Sequence, residues 1–309
     1  MATLKTTDVK TIKQSWHDVV SQLDREETPF YSSIGSNSEA GSVLREFFYK
    51  KLNDATDNFI AEGADAPAAT STNTDRAANA LQIFTKVRSV SGTLEATSNV
   101  GVSSKFAEQL EDAGKELKRD IERALVGAQG SAISGVRKLA GAEAWIKTNA
   151  LHGVDGATAG FNEGTNLVGA VTAGTARALT ETMLNDAFQK IWEQGGRAKS
   201  IYTNGKQRRV LSSFDGGKTV NVPAEKKTVM NTVDYYQGDF GKYAIVPDFL
   251  MSQSTILLID EATWNVSYLR KITKKDLPEA ADRQSKMLIA ELTLESRNER
   301  GNGKIADLS

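Results

Sequence analysis

The clearest pattern in the chain is a helical stripe. Phe106, Leu110, Ala113, Leu117, Ile121 and Leu125 recur at steps of three and four across residues 104–126. That spacing puts them on one face and predicts an amphipathic helix. Glu108, Glu111, Lys115, Lys118, Arg119 and Glu122 cover much of the remainder. Glu111–Lys115 and Lys118–Glu122 read as i,i+4 ion pairs, each worth a few tenths of a kcal/mol. At 1.5 Å per residue the helix is roughly 35 Å long, enough to span a domain. Residues 8–23 show the same period, with Val9, Ile12, Trp16, Val19, Val20 and Leu23 in one stripe and Thr7 as N-cap. Residues 24–41, with Pro29 and several Ser and Gly, read as an irregular strap. A short helix on a loose strap buries little of itself, so it docks on its own domain or on a neighbouring copy. A third helix is predicted at about 180–194, from Thr180 to the stop at Gly195 and Gly196, with Met183, Ala187 and Ile191 on one face. Residues Gln207 to Phe214 suit a shorter helix, with Val210, Leu211 and Phe214 inward.

Period two marks the strands. Residues 42–52 are aromatic-rich and suit a strand. Over 81–91, Leu81, Ile83 and Val87 alternate with Gln82, Lys86 and Arg88, and Phe84 breaks the polar face. Between the two runs lie about 28 residues rich in Ala, Thr, Asn, Asp and Gly, an unusually long connection for a compact domain. It makes sense if the two strands form a long hairpin whose tip leaves the body. Further strands are predicted at Ser200–Asn204, Tyr243–Val246 and Thr255–Ile259. Leu288, Ala290, Leu292 and Leu294 alternate with Ile289, Glu291, Thr293 and Glu295, the cleanest strand pattern present. Residues 153–176 are dominated by Gly and Ala and read as a mobile loop. Helices and strands intermix without regular βαβ alternation, so the fold class is α+β.

Composition narrows the chemistry. The 309 residues contain no cysteine, which removes disulfides, thiolate nucleophiles and Cys-based metal sites. The net charge of −1 lacks the basic excess usual in a nucleic-acid binder. The N-terminus shows no signal-peptide apolar region, and no apolar run approaches the roughly 18 residues of a membrane span. A soluble protein made in a cytosol is therefore expected. His17 and His152 have no partner at metal-ligand spacing, and neither H-E-x-x-H nor G-x-S-x-G occurs. Asp215-Gly-Gly-Lys-Thr219 superficially resembles a phosphate loop. It lacks the leading glycine, with Ser212 in its place, and is followed by Val-Asn-Val-Pro instead of a helix. It reads as a turn, as does Gly301-Asn-Gly-Lys304. No catalytic, cofactor or metal site is expected, although paired carboxylates in a cleft stay open as an unmarked enzyme site.

An ordered set of short segments carries a resemblance. Thr28-Pro-Phe-Tyr31, Ala61-Glu-Gly-Ala-Asp-Ala66, Asn79-Ala-Leu-Gln-Ile83 and Val90-Ser-Gly-Thr93 resemble the N-terminal half of major head proteins from a subset of tailed bacteriophages. Glu116-Leu-Lys-Arg-Asp-Ile-Glu122 is similar to that family's most recognisable stretch. Asp239-Phe-Gly241, Tyr268-Leu-Arg270 and Glu291-Leu-Thr-Leu-Glu295 with Asn298 resemble its C-terminal half. The resemblance implies the capsid fold shared by tailed phages and herpesviruses. Residues 1–41 would be an N-terminal arm and 42–100 an extended β-hairpin loop. Residues 101–134 would be a peripheral domain with the spine helix at 104–126. Residues 135–250 would be an axial domain, and 251–309 would return to the peripheral domain.

The function implied is assembly through pentamers and hexamers into an icosahedral head around double-stranded DNA, in the virion, after synthesis in host cytoplasm. Scaffolding and portal proteins are expected partners, a separate scaffolding protein being favoured over a removed N-terminal segment, and a cement protein is a further candidate. A wall of near-zero net charge implies only weak, non-specific contact with DNA. The extended loop supplies one candidate contact. Residues 53–80 hold Asp54, Asp57, Glu62, Asp65 and Asp75 against Arg76, a net −4. Arg270, Lys271, Lys274 and Lys275 form a basic cluster. The tip, with Asp57, Glu62 and Asp65, is expected near this cluster on a neighbouring subunit. Three other readings stay open: a bacterial encapsulin-type compartment, a tail or baseplate component, and an enzyme.

Overall fold

A computed structural model describes residues 27–53, 55–97, 104–214, 235–278 and 281–309. The helix expected at 8–23, His17 and the turn at 215–219 lie outside the described residues. In chain order the elements begin with α1 (Pro29–Ser33), β1 (Gly35–Glu39), β2 (Leu44–Lys50), β3 (Thr74–Ala80) and β4 (Gln82–Ser91). They continue with α2 (Gly92–Ala96), α3 (Lys105–Val126), α4 (Ala142–Trp145), β5 (Ala150–Leu151), β6 (Ala157–Asn162) and β7 (Leu167–Thr172). Next come α5 (Glu181–Glu193), β8 (Ser200–Thr203), α6 (Gly205–Ser213), β9 (Tyr235–Gly238), β10 (Gly241–Pro247) and β11 (Ile256–Ile259). The chain closes with β12 (Trp264–Asp276), β13 (Arg283–Ser296) and β14 (Gly303–Ile305). The mixture is α+β.

Helix α3 forms as its stripe predicts. Ser104 caps it by accepting the Ala107 N–H at 3.1 Å. Phe106, Ala113, Leu117, Ile121 and Leu125 are buried beneath it. They lie on the sheet ordered β1-β12-β13-β4, whose Leu288, Ala290, Leu292 and Leu294 complete the same core. Each such aliphatic side chain contributes about 1.5–3 kcal/mol by leaving water. The predicted pair Glu111–Lys115 is present at 3.3 Å. The predicted pair Lys118–Glu122 is not, because Glu122 is fully buried and turned to α1.

The second sheet runs β5-β14-β11-β8-β10-β9. Its central strands, β8 and β11, are buried at every position because both faces are covered. Ile201, Ile256 and Leu258 pack with Leu184, Phe188 and Ile191 of α5. Tyr202, Leu257 and Ile259 face the core under α3. Helix α5 carries the cap expected at Thr180, and Gly195 ends it with φ of +74°.

Several expectations require correction. The strap at 24–41 is not wholly irregular. Pro29 starts α1, and β1 joins the first sheet in parallel with β12. The strand at 42–52 pairs with 74–80, from Leu44 opposite Ala80 to Lys50 opposite Thr74, and not with 81–91. The chain changes sheets at Leu81, so β4 pairs β13 while the β2–β3 ladder ends at Ala80. That crossing also shifts the alternation. Phe84 and Val90 are buried, Ile83 and Val87 are exposed, and Lys86 and Arg88 pair with Glu116 and Asp120 of α3.

The Gly- and Ala-rich stretch is a β6–β7 hairpin, not a mobile loop. Its small residues allow backbones to touch. A Cβ on Gly130 would sit 2.5 Å from the Ala170 nitrogen. Phe161 stacks on Trp145 with ring centroids 6.0 Å apart, so this region shares the core of α3. Strands β12 and β13 lie in the first sheet, while β11 and β14 lie in the second.

Candidate assembly surfaces

The β2–β3 ladder is fixed at its base, and the segment between its strands is exposed among the described residues. Phe47 packs on Trp145 at 5.6 Å, and Arg45 meets the buried Glu295 at 2.6 Å. Asn79, fully buried, accepts from the Ala140 N–H at 2.9 Å and donates to the Leu294 carbonyl at 2.8 Å. Beyond Lys50 the described residues up to 73 form no helix or strand, and all but Thr72 are exposed. A turn at Ala61–Ala64 reverses the chain, with Gly63 at φ +78°. Asp57, Glu62 and Asp65 stand in this exposed tip and make no ion pair among the described residues. The tip also shows apolar surface that sequence reading passed over. Phe59 is 90% exposed and Ile60 58%, and Phe48 and Leu52 follow nearer the base.

Arg270, Lys271, Lys274 and Lys275 lie on β12 itself, in a stretch from Leu269 to Asp276 that is exposed throughout. Strand β1 pairs β12 only as far as Tyr268. Arg270 is held by Glu291 at 2.8 Å, and Arg137 reaches the same carboxylate at 2.6 Å. Lys271, Lys274 and Lys275 form no ion pair among the described residues. Within one chain no hydrogen bond or ion pair joins the acidic tip to this cluster among the described residues.

Glu122 is the interior group that the sequence reading missed. Its two carboxyl oxygens accept the Phe30 and Tyr31 N–H groups at 2.7 Å each, closing the first turn of α1. Burial, reinforced by the charge of neighbouring Asp248, pushes its pKa up to about 8. Burial also raises Asp248, which follows β10 and accepts from the Leu250 N–H at 2.9 Å. Burial thus disfavours the charged form of both carboxyls. Through its two hydrogen bonds Glu122 ties α1 to α3. The sequence hint was Val126, one turn further along α3 and also buried.

His152 is a packing histidine. Its Nδ1 lies 3.1 Å from Asp307 and its Nε2 2.8 Å from Thr158. Asp307 also accepts from the Gly153 and Gly174 N–H groups, and Thr158 is buried in the hairpin. The contact pins the hairpin to the segment after β14.

Comparison with known proteins agrees with this architecture. The model of the SU10 major capsid protein family matches residues 2–309. The major capsid protein of Escherichia phage Phieco32 is 33% identical over 122 residues, covering 38% of this chain and 33% of that protein. The alignment therefore spans about a third of that relative. Among solved structures, one from Microbacterium phage Oxtober96 superposes with a TM-score of 0.65 at 11% identity, covering 99% of each chain. The capsid of a native GTA particle gives 0.64 at 11% identity over 98% of each chain. The cyanophage A-1(L) capsid gives 0.64 at 14% identity, also over 98% of each. Such identities speak for the fold alone. With a family model spanning nearly the whole sequence, the chain belongs to the SU10 major capsid protein family.

Proposed function

We propose that this chain is a shell subunit that assembles through rings of five and six copies into the icosahedral head enclosing double-stranded DNA. The observation that carries the reading is the extended loop: an ordered base presenting Phe59 and Ile60 to solvent, with nothing among the described residues to bury them. An exposed segment of this kind loses little by being laid over a neighbour, where burial offsets the entropy of ordering it. Each apolar side chain buried there contributes about 1.5–3 kcal/mol. A rim ion pair contributes about 0–1 kcal/mol. Apolar anchors therefore give the affinity, and the acidic tip over the basic cluster sets the register. Obligate contacts of about 2,000–5,000 Å² repeated around a shell then make it stable through multivalency.

In this reading, assembly occurs in host cytoplasm, with separate scaffolding and portal proteins and, where present, a cement protein. The near-zero net charge keeps the wall weakly attached to packaged DNA. Electron microscopy of the purified protein tests the proposal. Closed shells or rings of five and six support it, and a small globular oligomer refutes it. Reversing the cluster with Lys271→Glu, Lys274→Glu and Lys275→Glu is expected to impair assembly while leaving the chain's urea midpoint unchanged. Normal shells from that variant would refute the charge contact.

A further inference from the structure

The first sheet has an incomplete edge. Strand β12 is 13 residues long, but β1 covers only its opening part. From Leu269 to Asp276 its inner edge is bonded to β13, and its outer edge has no strand beside it among the described residues. That opening is eight residues, about 26 Å of strand. An open edge of this length is a template for another chain, and charge on it normally discourages self-pairing. Here the charge has one sign. Lys274 lies opposite Leu288, on the α3 side of the sheet, and Lys275 lies opposite Met287, on the other side. An incoming strand therefore meets a cation on either face.

The other edge, β4, is different. Its Lys86 and Arg88 are already engaged by Glu116 and Asp120. Of this sheet's two edges, β12 is the one that combines open backbone with uncommitted lysines among the described residues. It repels a second copy of itself and favours an acidic strand. The extended-loop tip has that chemistry and is exposed. Within it, residues 61–64 are committed to a turn, and Pro67 lacks the N–H that a paired strand needs. The run Ala55-Thr-Asp-Asn-Phe-Ile60 keeps every N–H, carries the β-formers Thr56, Phe59 and Ile60, and holds Asp57.

We propose that the free edge of β12 from Leu269 to Asp276 accepts residues 55–60 of a second copy of this chain as an added strand. The inference rests on the shell reading and makes it specific: the two surfaces meet through backbone hydrogen bonds, with lysine and Asp57 fixing which strand is admitted. Side-chain contact alone would leave the amides of β12 as free as before.

Hydrogen exchange on the unaltered protein, in shells and as unassembled chains, separates these cases. In a strand, N–H groups alternate in direction, so about half the amides of 269–276 exchange freely in the unassembled chain. In shells those amides are expected to slow by about tenfold or more, and new slow amides are expected at 55–60. Shells in which 269–276 exchange as before overturn the strand addition while leaving the shell reading intact. Slowing at 269–276 without slowing at 55–60 also overturns it, because another segment then occupies the edge. Failure to find shells at all sinks both.

Discussion

Replacing Glu122 with glutamine isolates the buried carboxyl beneath α1. In the native chain both carboxyl oxygens accept backbone N–H groups, from Phe30 and Tyr31. Glutamine offers one carbonyl oxygen, so one buried N–H loses its partner, at about 1–3 kcal/mol. That loss does not depend on pH. The native residue does. Its folded pKa lies near 8, against an ordinary value of 4.5, so the folded state binds the proton more tightly than the unfolded state. Stability from this group is complete below pH 4.5 and is lost as pH rises through 8, at up to about 1.4 kcal/mol per unit. The two curves therefore converge or cross. At pH 5 Glu122→Gln is expected to be less stable than the native chain by about 1–3 kcal/mol, and by pH 9 the deficit is gone or reversed. Urea unfolding at intervals from pH 5 to 9 measures this difference. Lys304, also buried and drawn down to about pKa 8, gains stability as pH rises above 8. The native curve alone is thus ambiguous, and the difference between the two proteins is the readout. A deficit that stays constant within about 0.5 kcal/mol across the range would refute the raised pKa of Glu122.

Two further perturbations test the packing. Leu117→Ala removes a fully buried side chain between α3 and the first sheet, and is expected to lower unfolding free energy by about 2–5 kcal/mol in urea titrations. Gly141→Ala places a Cβ 2.2 Å from the Gly127 carbonyl oxygen, a backbone atom that cannot swing aside. Its thermal midpoint is expected to fall by several degrees, consistent with a loss of about 1–3 kcal/mol.

The elements that sequence reading located are those whose burial is one-sided and local. Helices α3 and α5 announce themselves because one stripe of each faces a core and the rest faces water. Strand pairing was less legible. Nothing within 42–52 states that its partner is 74–80, since that choice is made by Asn79 and Phe47 docking on residues distant in sequence. The polar half of β13 looked solvent-facing, yet Glu291, Thr293 and Glu295 are buried and satisfied by Arg137, Arg270, the Ala80 carbonyl, Arg45 and Asn265. The Gly- and Ala-rich hairpin was misread because small side chains that admit close backbones look like side chains that do nothing. Of the candidate contact, the acidic tip was legible from composition. The strand under the basic cluster was not, because β12 runs past its covering neighbours there and shows no alternation of buried and exposed residues.

The place of β14 has a consequence for how the protein is made. It sits between β5 and β11, both synthesised before it, and is antiparallel to one and parallel to the other. Until residue 305 has cleared the ribosome, those two strands have no bridge and the second sheet is in two pieces. A chain cut between Ser296 and Gly303 would retain all four strands of the helix-backed first sheet but leave β5 and β11 without the strand that joins them.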